Sequence, residues 1–245
     1  MKKLLTLFLV FGPAILFAQS EMEIYLTPGL GYRTISVSAQ TSPDFKDSLN
    51  QMDKVRQNWG GGVAYIHGFN RDFKLHFGLQ YRRMSFTRVL EDLQYQDTVH
   101  PALGRIEDLS QNGQKNAYFY HKYHYVSVPV LLQTFIGPEY GRSEFSAHLI
   151  TGVTVDVLLN DDIKVFLQGY SLKGKDKHSI PNDYKASVLN VNLVGGVKFR
   201  FPIGENMNFN VQPNFVFPIL QTSSDDNVSM RLFQTNIRAG ISLNL

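Results

Sequence analysis

The sequence predicts an all-β fold, an eight-stranded antiparallel up-and-down transmembrane β-barrel, on three observations. Apolar and polar residues alternate through eight long stretches, nine of the eleven glycines inside them share phase with the polar set, and the connections alternate between long and short. Alternation puts successive side chains on opposite faces of a sheet without saying which face is inside. The glycines decide that. Gly29, Gly31, Gly60, Gly62, Gly68, Gly78, Gly152, Gly196 and Gly240 fall in phase with Thr, Asn, Gln, Lys and Arg, and only Gly61 and Gly195 with the apolar residues. A narrow closed barrel is crowded inside, so missing side chains belong there. The polar face is therefore the lumen and the apolar face meets lipid.

Residues 1–18 read as a signal peptide and 19–245 as the barrel domain. Lys2 and Lys3 precede an apolar run from Leu4 to Phe17, and Ala18 offers a small residue for cleavage before Gln19. The run is shorter than the roughly 20 residues that span a bilayer as a helix. No later run is long and apolar enough for one, so an exported chain embedded in lipid has to close on itself. The chain has no cysteine, which excludes an acylated lipoprotein anchor, disulfides and thiolate zinc sites. Without Lys2 and Lys3, basic and acidic residues almost balance, which argues against nucleic acid as a partner.

The eight stretches follow in order. The first spans about 24–37, with Ile24, Leu26, Leu30 and Tyr32 outward. The second spans about 58–69, with Trp59, Val63, Tyr65 and Phe69 outward. The third, about 73–87, sets Phe73, Leu75, Phe77, Leu79 and Tyr81 against Lys74, His76, Gly78, Gln80 and Arg82. The fourth, about 118–136, turns Val126, Val128, Val130, Leu132 and Ile136 outward. The fifth, 144–159, sets Phe145, Leu149, Val153 and Val157 against Ser146, His148, Gly152, Thr154 and Asp156. The sixth is about 188–201, the seventh about 208–220 and the eighth about 230–245, and each alternates in the same way. All reach the roughly 9–11 residues that a tilted membrane strand needs.

Segments 38–57, 88–117 and 160–187 are long and polar, whereas 70–72, 137–143 and 202–207 are short. This is the loop pattern of an outer-membrane barrel, with both termini and the tight turns in the periplasm and the long loops at the cell surface. Aromatic residues sort by height on that layout. Phe69, Phe73, Phe145, Phe199, Phe201 and Phe209 lie at the turn end, and Trp59, Tyr81, Tyr120, Phe217 and Phe233 at the loop end. Two such girdles mark the two interfaces of a bilayer. Pro129, inside the fourth stretch, removes a ladder donor and implies a bulge that helps the barrel curve.

The run Tyr125-Val126-Ser127-Val128-Pro129-Val130-Leu131-Leu132-Gln133, then Gly152 to Leu159 and Gly195-Gly196-Val197, resembles the PorT-like outer-membrane β-barrel family of Bacteroidota. The resemblance implies an outer-membrane location and, for some members, a part in type IX secretion or gliding. The chain departs from the common barrel pattern by finishing on Leu245 rather than on an aromatic residue.

Candidate chemistry is sparse. No HExxH, GxSxG or phosphate-loop motif is present. His76, His148, Asp156 and Ser146 share the inward phase. His148 and Asp156 stand eight residues apart on one strand, roughly 26 Å at about 3.3 Å per residue, so they cannot share a hydrogen bond. No cofactor, metal or catalytic residue is expected. Arg33, Lys74, Arg82, Lys198, Arg200 and Arg238 form an inward basic cluster, with Asp156 the clear inward strand carboxylate. Water and loop carboxylates such as Asp44, Asp47 or Asp53 would balance it, and an anionic ligand or partner segment is the sharper alternative. Lys173, Lys175, Lys177 and His178 form a loop cluster able to touch lipopolysaccharide phosphates.

The expected function is structural or interactive, with outer-membrane lipid, lipopolysaccharide and an envelope protein as the partners. An accessory role in type IX secretion or gliding, a soluble lipocalin-like periplasmic binder and a lipid-modifying barrel enzyme are the alternatives.

Overall fold

The computed structural model describes residues 20–37, 53–70, 72–91, 98–100, 104–108, 116–137, 145–168, 170–172, 178–180, 186–224 and 228–245. Residues 1–19, to which the expected signal peptide belongs, and parts of the connections lie outside these. The first strands are Ser20–Leu26 (β1), Gly29–Val37 (β2), Asp53–Lys54 (β3), Arg56–Gly68 (β4) and Phe73–Leu90 (β5). Thr98–His100 (β6), Gly104–Asp108 (β7), Ala117–Phe135 (β8), Ser146–Leu167 (β9), Tyr170–Leu172 (β10) and His178–Ile180 (β11) follow. Leu189–Pro202 (β12), Met207–Pro218 (β13), Ser223–Ser224 (β14) and Val228–Asn244 (β15) complete the chain.

Eight staves form a ring. The first stave, β1 with β2, pairs with β4, and the ladder runs on through β5, β8, β9, β12 and β13 to β15. β15 then pairs back onto β1 and β2, so the sheet has no free long edge. All pairings are antiparallel, and the fold is an up-and-down barrel of eight strands as expected. Pro28 interrupts the first stave without shifting it: Leu26↔Ala239 and Gly29↔Asn236 belong to one register. Ser20 and Leu245 meet at one end, where Leu245 N–H donates to the Ser20 carbonyl at 2.9 Å. The tight turns share that end. In the first of them the Asn70 side-chain oxygen accepts from the amides of Asp72 (2.9 Å) and Phe73 (2.8 Å).

The face assignment holds. Ile24, Leu26, Val63, Leu79, Leu193, Phe215 and Ile237 are exposed on the outside, whereas Gln133, Lys198, Asn210, Gln212 and Gln234 are buried inside. The lumen glycines are more tightly constrained than crowding by side chains requires. A Cβ on Gly152 would stand 2.3 Å from the Val130 carbonyl, and one on Gly240 2.6 Å from the Ile24 carbonyl, both backbone atoms of the next stave. These glycines let the sheet bend sharply inward. Outward Gly195 has nothing within 4 Å of its missing side chain.

Three expectations need correction. The fifth strand runs to Leu167 rather than ending at 159, because a bulge opposite His124/Tyr125 inserts one residue and flips its phase. Consequently segments 88–117 and 160–187 are not simply loops: β5, β8 and β9 rise into them as one tall wall, and β6, β7 and β10 form a small separate sheet. Pro129 carries no bulge. Phe77↔Val130 and Gln80↔Ser127 keep one register across it, and Gly78 on the facing stave leaves room for its ring. Nor is the lumen uniformly polar. Met84, Phe86, Tyr123, Tyr125, Met230 and Leu232 fill its loop end, and Leu131, Ile150, Val194 and Val216 pack lower down.

Candidate functional site: the lumen charges and the outer wall

β1 carries the residues that organise the turn-end half of the lumen. Glu21, Glu23 and Tyr25 alternate with Met22, Ile24 and Leu26, and the barrel closes only when this strand seats between β4 and β15. Glu23, fully buried, accepts from Arg238 Nη2 at 2.6 Å, from Lys198 Nζ at 3.4 Å and from Asn210 Nδ2 at 3.2 Å. Glu21 takes Lys74 Nζ at 2.5 Å and Arg200 Nη1 at 2.7 Å. Arg238 also lies over the Tyr25 ring, 3.4 Å from its centroid. Higher up, Arg82 donates to Asp156, whose Oδ2 also accepts from Asn192 at 2.7 Å. At the loop end Arg33 forks onto Asp53 with distances of 2.6 and 2.5 Å and stacks on Phe86 at 4.2 Å.

All six predicted lumen cations are therefore inside, and each touches a carboxylate. Asp156 is inward as read. Of the loop acids suggested to balance the cluster, Asp53 does so, while Asp44 and Asp47 lie outside the described residues. The main counter-charges, Glu21 and Glu23, lie just before the first alternating stretch, which starts at Ile24. The signal was present, since the phase of Ile24 and Leu26 carried back to Met22 puts both glutamates inside. A buried cation left without a partner costs several kcal/mol, roughly 3–5, and β1 removes that cost for four of them. The mid-lumen cavity bounded by Gln80, Arg82, Thr154, Gln212 and Asn236 measures about 30 Å³, room for a water molecule.

The inward serine, histidines and aspartate do not assemble into a triad. Ser146 Oγ lies 3.0 Å from His148 Nε2, His76 Nε2 meets Gln133 Oε1 at 2.7 Å, and Asp156 is held by Arg82 and Asn192. Serine and histidine thus meet at the turn end, while the aspartate stands eight residues further along β9, as the spacing required, and is engaged by Arg82 and Asn192. Lys173, Lys175 and Lys177 lie outside the described residues, and of His178 only the backbone is described, opposite Val165 in β11.

On the outer wall, aromatic rings gather at two heights. Phe145, Phe199, Phe201 and Phe209 form a chain of contacts with centroids 5.8–6.4 Å apart at the turn end. Toward the loop end Trp59 packs on Tyr81 (5.3 Å) and Phe233 on Tyr32 (5.2 Å) and Phe217 (6.1 Å). Phe73 to Tyr81 on β5, and Phe209 to Phe217 on β13, span the same eight residues, roughly 27 Å of strand and about 20 Å in height at a usual barrel tilt. The band between is mostly aliphatic, with Leu79, Leu193 and Ile237 among its exposed side chains and Phe77 an aromatic exception.

No protein-family model matches the chain, and no curated protein sequence matches it. Among solved structures, it is similar to outer membrane protein OprG from Pseudomonas aeruginosa at 12% identity and a TM-score of 0.45, covering 93% of this chain and 96% of that one. It is also similar to the outer membrane protease OmpT from Escherichia coli (9% identity, TM-score 0.41, 93% and 97% covered). A third similar structure is the Neisserial surface protein A (9% identity, TM-score 0.38, 91% and 97% covered).

Proposed function

We propose that this protein is an integral outer-membrane β-barrel with a structural or interaction role rather than a pore. One observation carries the reading: a closed sheet whose exposed face is an apolar, mostly aliphatic band between two aromatic girdles, around a lumen filled by paired charges and apolar side chains. Water is a poor solvent for that exterior, and lipid suits it. A soluble lipocalin-like binder needs the apolar set inside, the reverse of this arrangement. Bulk diffusion needs an open lumen, and here the lumen is packed.

In this reading residues 1–18 direct export and are removed after Ala18. The termini and tight turns face the periplasm, and the tall wall of β5, β8 and β9 stands above the cell surface. Lipid and lipopolysaccharide surround the band, and Lys173, Lys175, Lys177 and His178 contact lipopolysaccharide phosphates from their loop. The PorT-like run from Tyr125 to Gln133 supports a finer version, an accessory of type IX secretion, in which an envelope protein docks on the surface-exposed wall.

Washing membranes with alkaline carbonate and urea tests the core of the proposal. The protein should stay in the pellet and migrate heat-modifiably on a gel; quantitative release would sink it. Cysteines placed singly at Gln111, Lys175 and Arg71 test the sidedness. Intact cells should label the first two with an impermeant thiol reagent, and Arg71 only after lysis. In vivo cross-linking followed by co-purification tests the envelope partner.

A further inference from the structure

A second group of cations lies on the outer wall. Arg83 on β5 faces outward beside Trp59, its guanidinium carbon 5.5 Å from the indole centroid. In register, Arg83 lies opposite His124, Lys122 opposite Asp162, and Tyr120 opposite Lys164. Arg56 stacks on the Tyr120 ring at 4.4 Å. Lys122 is within Coulombic reach of Lys164, Arg56 and Arg83 together.

Among the described residues, acidic side chains do not match this density of charge. Asp162 sits among the cations, 3.9 Å from Lys164. Among the described residues, Arg56, Arg83 and Lys122 make no salt bridge, in contrast with all six lumen cations. Like charges gathered on one sheet face repel unless an anion joins them.

The height of the patch names the anion. Trp59 and Tyr81 belong to the loop-end girdle, and the Tyr81 hydroxyl bonds His124 Nδ1 at 2.6 Å. Girdle rings sit at the headgroup boundary. Arg83 pairs in register with Trp59, two residues beyond Tyr81, and Lys122 lies two residues beyond His124, so both stand at the girdle's outer rim, the level of lipid phosphates. Directly adjoining, the outer wall around Pro28 holds a groove of about 620 Å³ lined by Pro28, Leu30, Trp59, Phe215 and Ile237, with Arg83 and the edges of Asn58, Asn214 and Asn236 also in its lining.

We propose that Arg56, Arg83, Lys122 and Lys164 bind the phosphate of an outer-leaflet phosphorylated lipid, with one of its acyl chains in the groove beside Trp59. The guanidinium forks take phosphate oxygens in pairs, and the ammonium groups act as point charges. This site rests on the outer-membrane reading above and is separate from the loop cluster at Lys173 to His178.

Trp59 is the single tryptophan in the chain, so its fluorescence reports the groove directly. The mature protein is folded into phosphatidylcholine vesicles containing lipid A with brominated acyl chains, or the same lipid with its phosphates removed. Quenching of Trp59 is measured against unbrominated controls. The phosphorylated lipid should quench at a mole fraction about tenfold lower than the dephosphorylated one, the worth of one charge-assisted contact. Arg83→Gln with Lys122→Gln should abolish that preference, and Arg83→Lys with Lys122→Arg should retain most of it. Millimolar inorganic phosphate should not compete; full competition would make this a free-phosphate site and overturn the lipid assignment. Equal quenching by both lipids in a protein that migrates heat-modifiably would overturn this inference alone. Failure of the wild type to insert would overturn the membrane reading with it.

Discussion

Arg82 and Arg83 are neighbours in sequence and opposites in structure. Arg82 points into the lumen, is 2% exposed, and binds Asp156. Arg83 points outward beside Trp59 and meets no carboxylate among the described residues. The same contrast separates the two groups of cations as a whole. Inside, Arg33, Lys74, Arg82, Lys198, Arg200 and Arg238 are each neutralised by the chain itself. Outside, Arg56, Arg83 and Lys122 form no salt bridge among the described residues. A packed lumen leaves a cation buried, so it needs a carboxylate built in. On the proposed membrane reading, an outer wall at headgroup height borders anionic groups, so the cation can be left for them.

The sharpest way to break the comparison is to remove an inner carboxylate. Glu23→Gln leaves Lys198 and Arg238 buried without an acid and should cost ~3–5 kcal/mol in equilibrium urea unfolding from vesicles. Adding Lys198→Met should restore part of that loss. Equal stability of Glu23→Gln and wild type would mean that water reaches the lumen freely and that the pairing is incidental. Placing a charge on the outer wall below the headgroup level is the next largest effect. Leu79→Arg, 55% exposed in the middle of the apolar band, should destabilise by ~2–4 kcal/mol. Gln80→Ala, one residue on, loses a 3.0 Å bond to Thr27 Oγ1 and should cost about 1 kcal/mol. If the glutamine change proved the more damaging of the two, the faces would be inverted.

Glycines sharpen the same distinction. Gly152→Ala drives a methyl group against the Val130 carbonyl and should cost about 1–3 kcal/mol, whereas Gly195→Ala meets open space and should be neutral or better. Thermal scans of the two variants in one detergent compare them directly. The smallest effect belongs to the outer cations: Lys122→Gln should change stability in lipid-free detergent by no more than about 0.5 kcal/mol. A loss of several kcal/mol there would show that Lys122 has a structural partner within the protein.

Much of this was legible in the sequence, and the exceptions are specific. The eight staves, the end at which the turns and termini meet, and the six inward cations all follow from a period of two carried along each strand. Glu21 and Glu23 obeyed that period but were lost to a strand boundary set too late. Asp53 is different. Alternation from Trp59 back along the second stave puts it outside, yet an irregularity near Val55 shifts the pairing from Trp59↔Arg83 to Asp53↔Arg88 and turns it inward onto Arg33. The bulge opposite His124 does the same for the top of β9, where Ile163, Val165 and Leu167 become the buried set.

The sequence by itself determined which face of each stave is inside, because alternation and glycine placement are local and each strand carries its own record. Only the tertiary structure decided which charge meets which. Glu23 and Arg238 are 215 positions apart and Glu21 and Arg200 are 179, and their meeting depends on how the staves are staggered around the ring. That stagger is set by the joint fit of all eight registers, including the bulge opposite His124 and the shift at Val55, and no single stretch of sequence contains it.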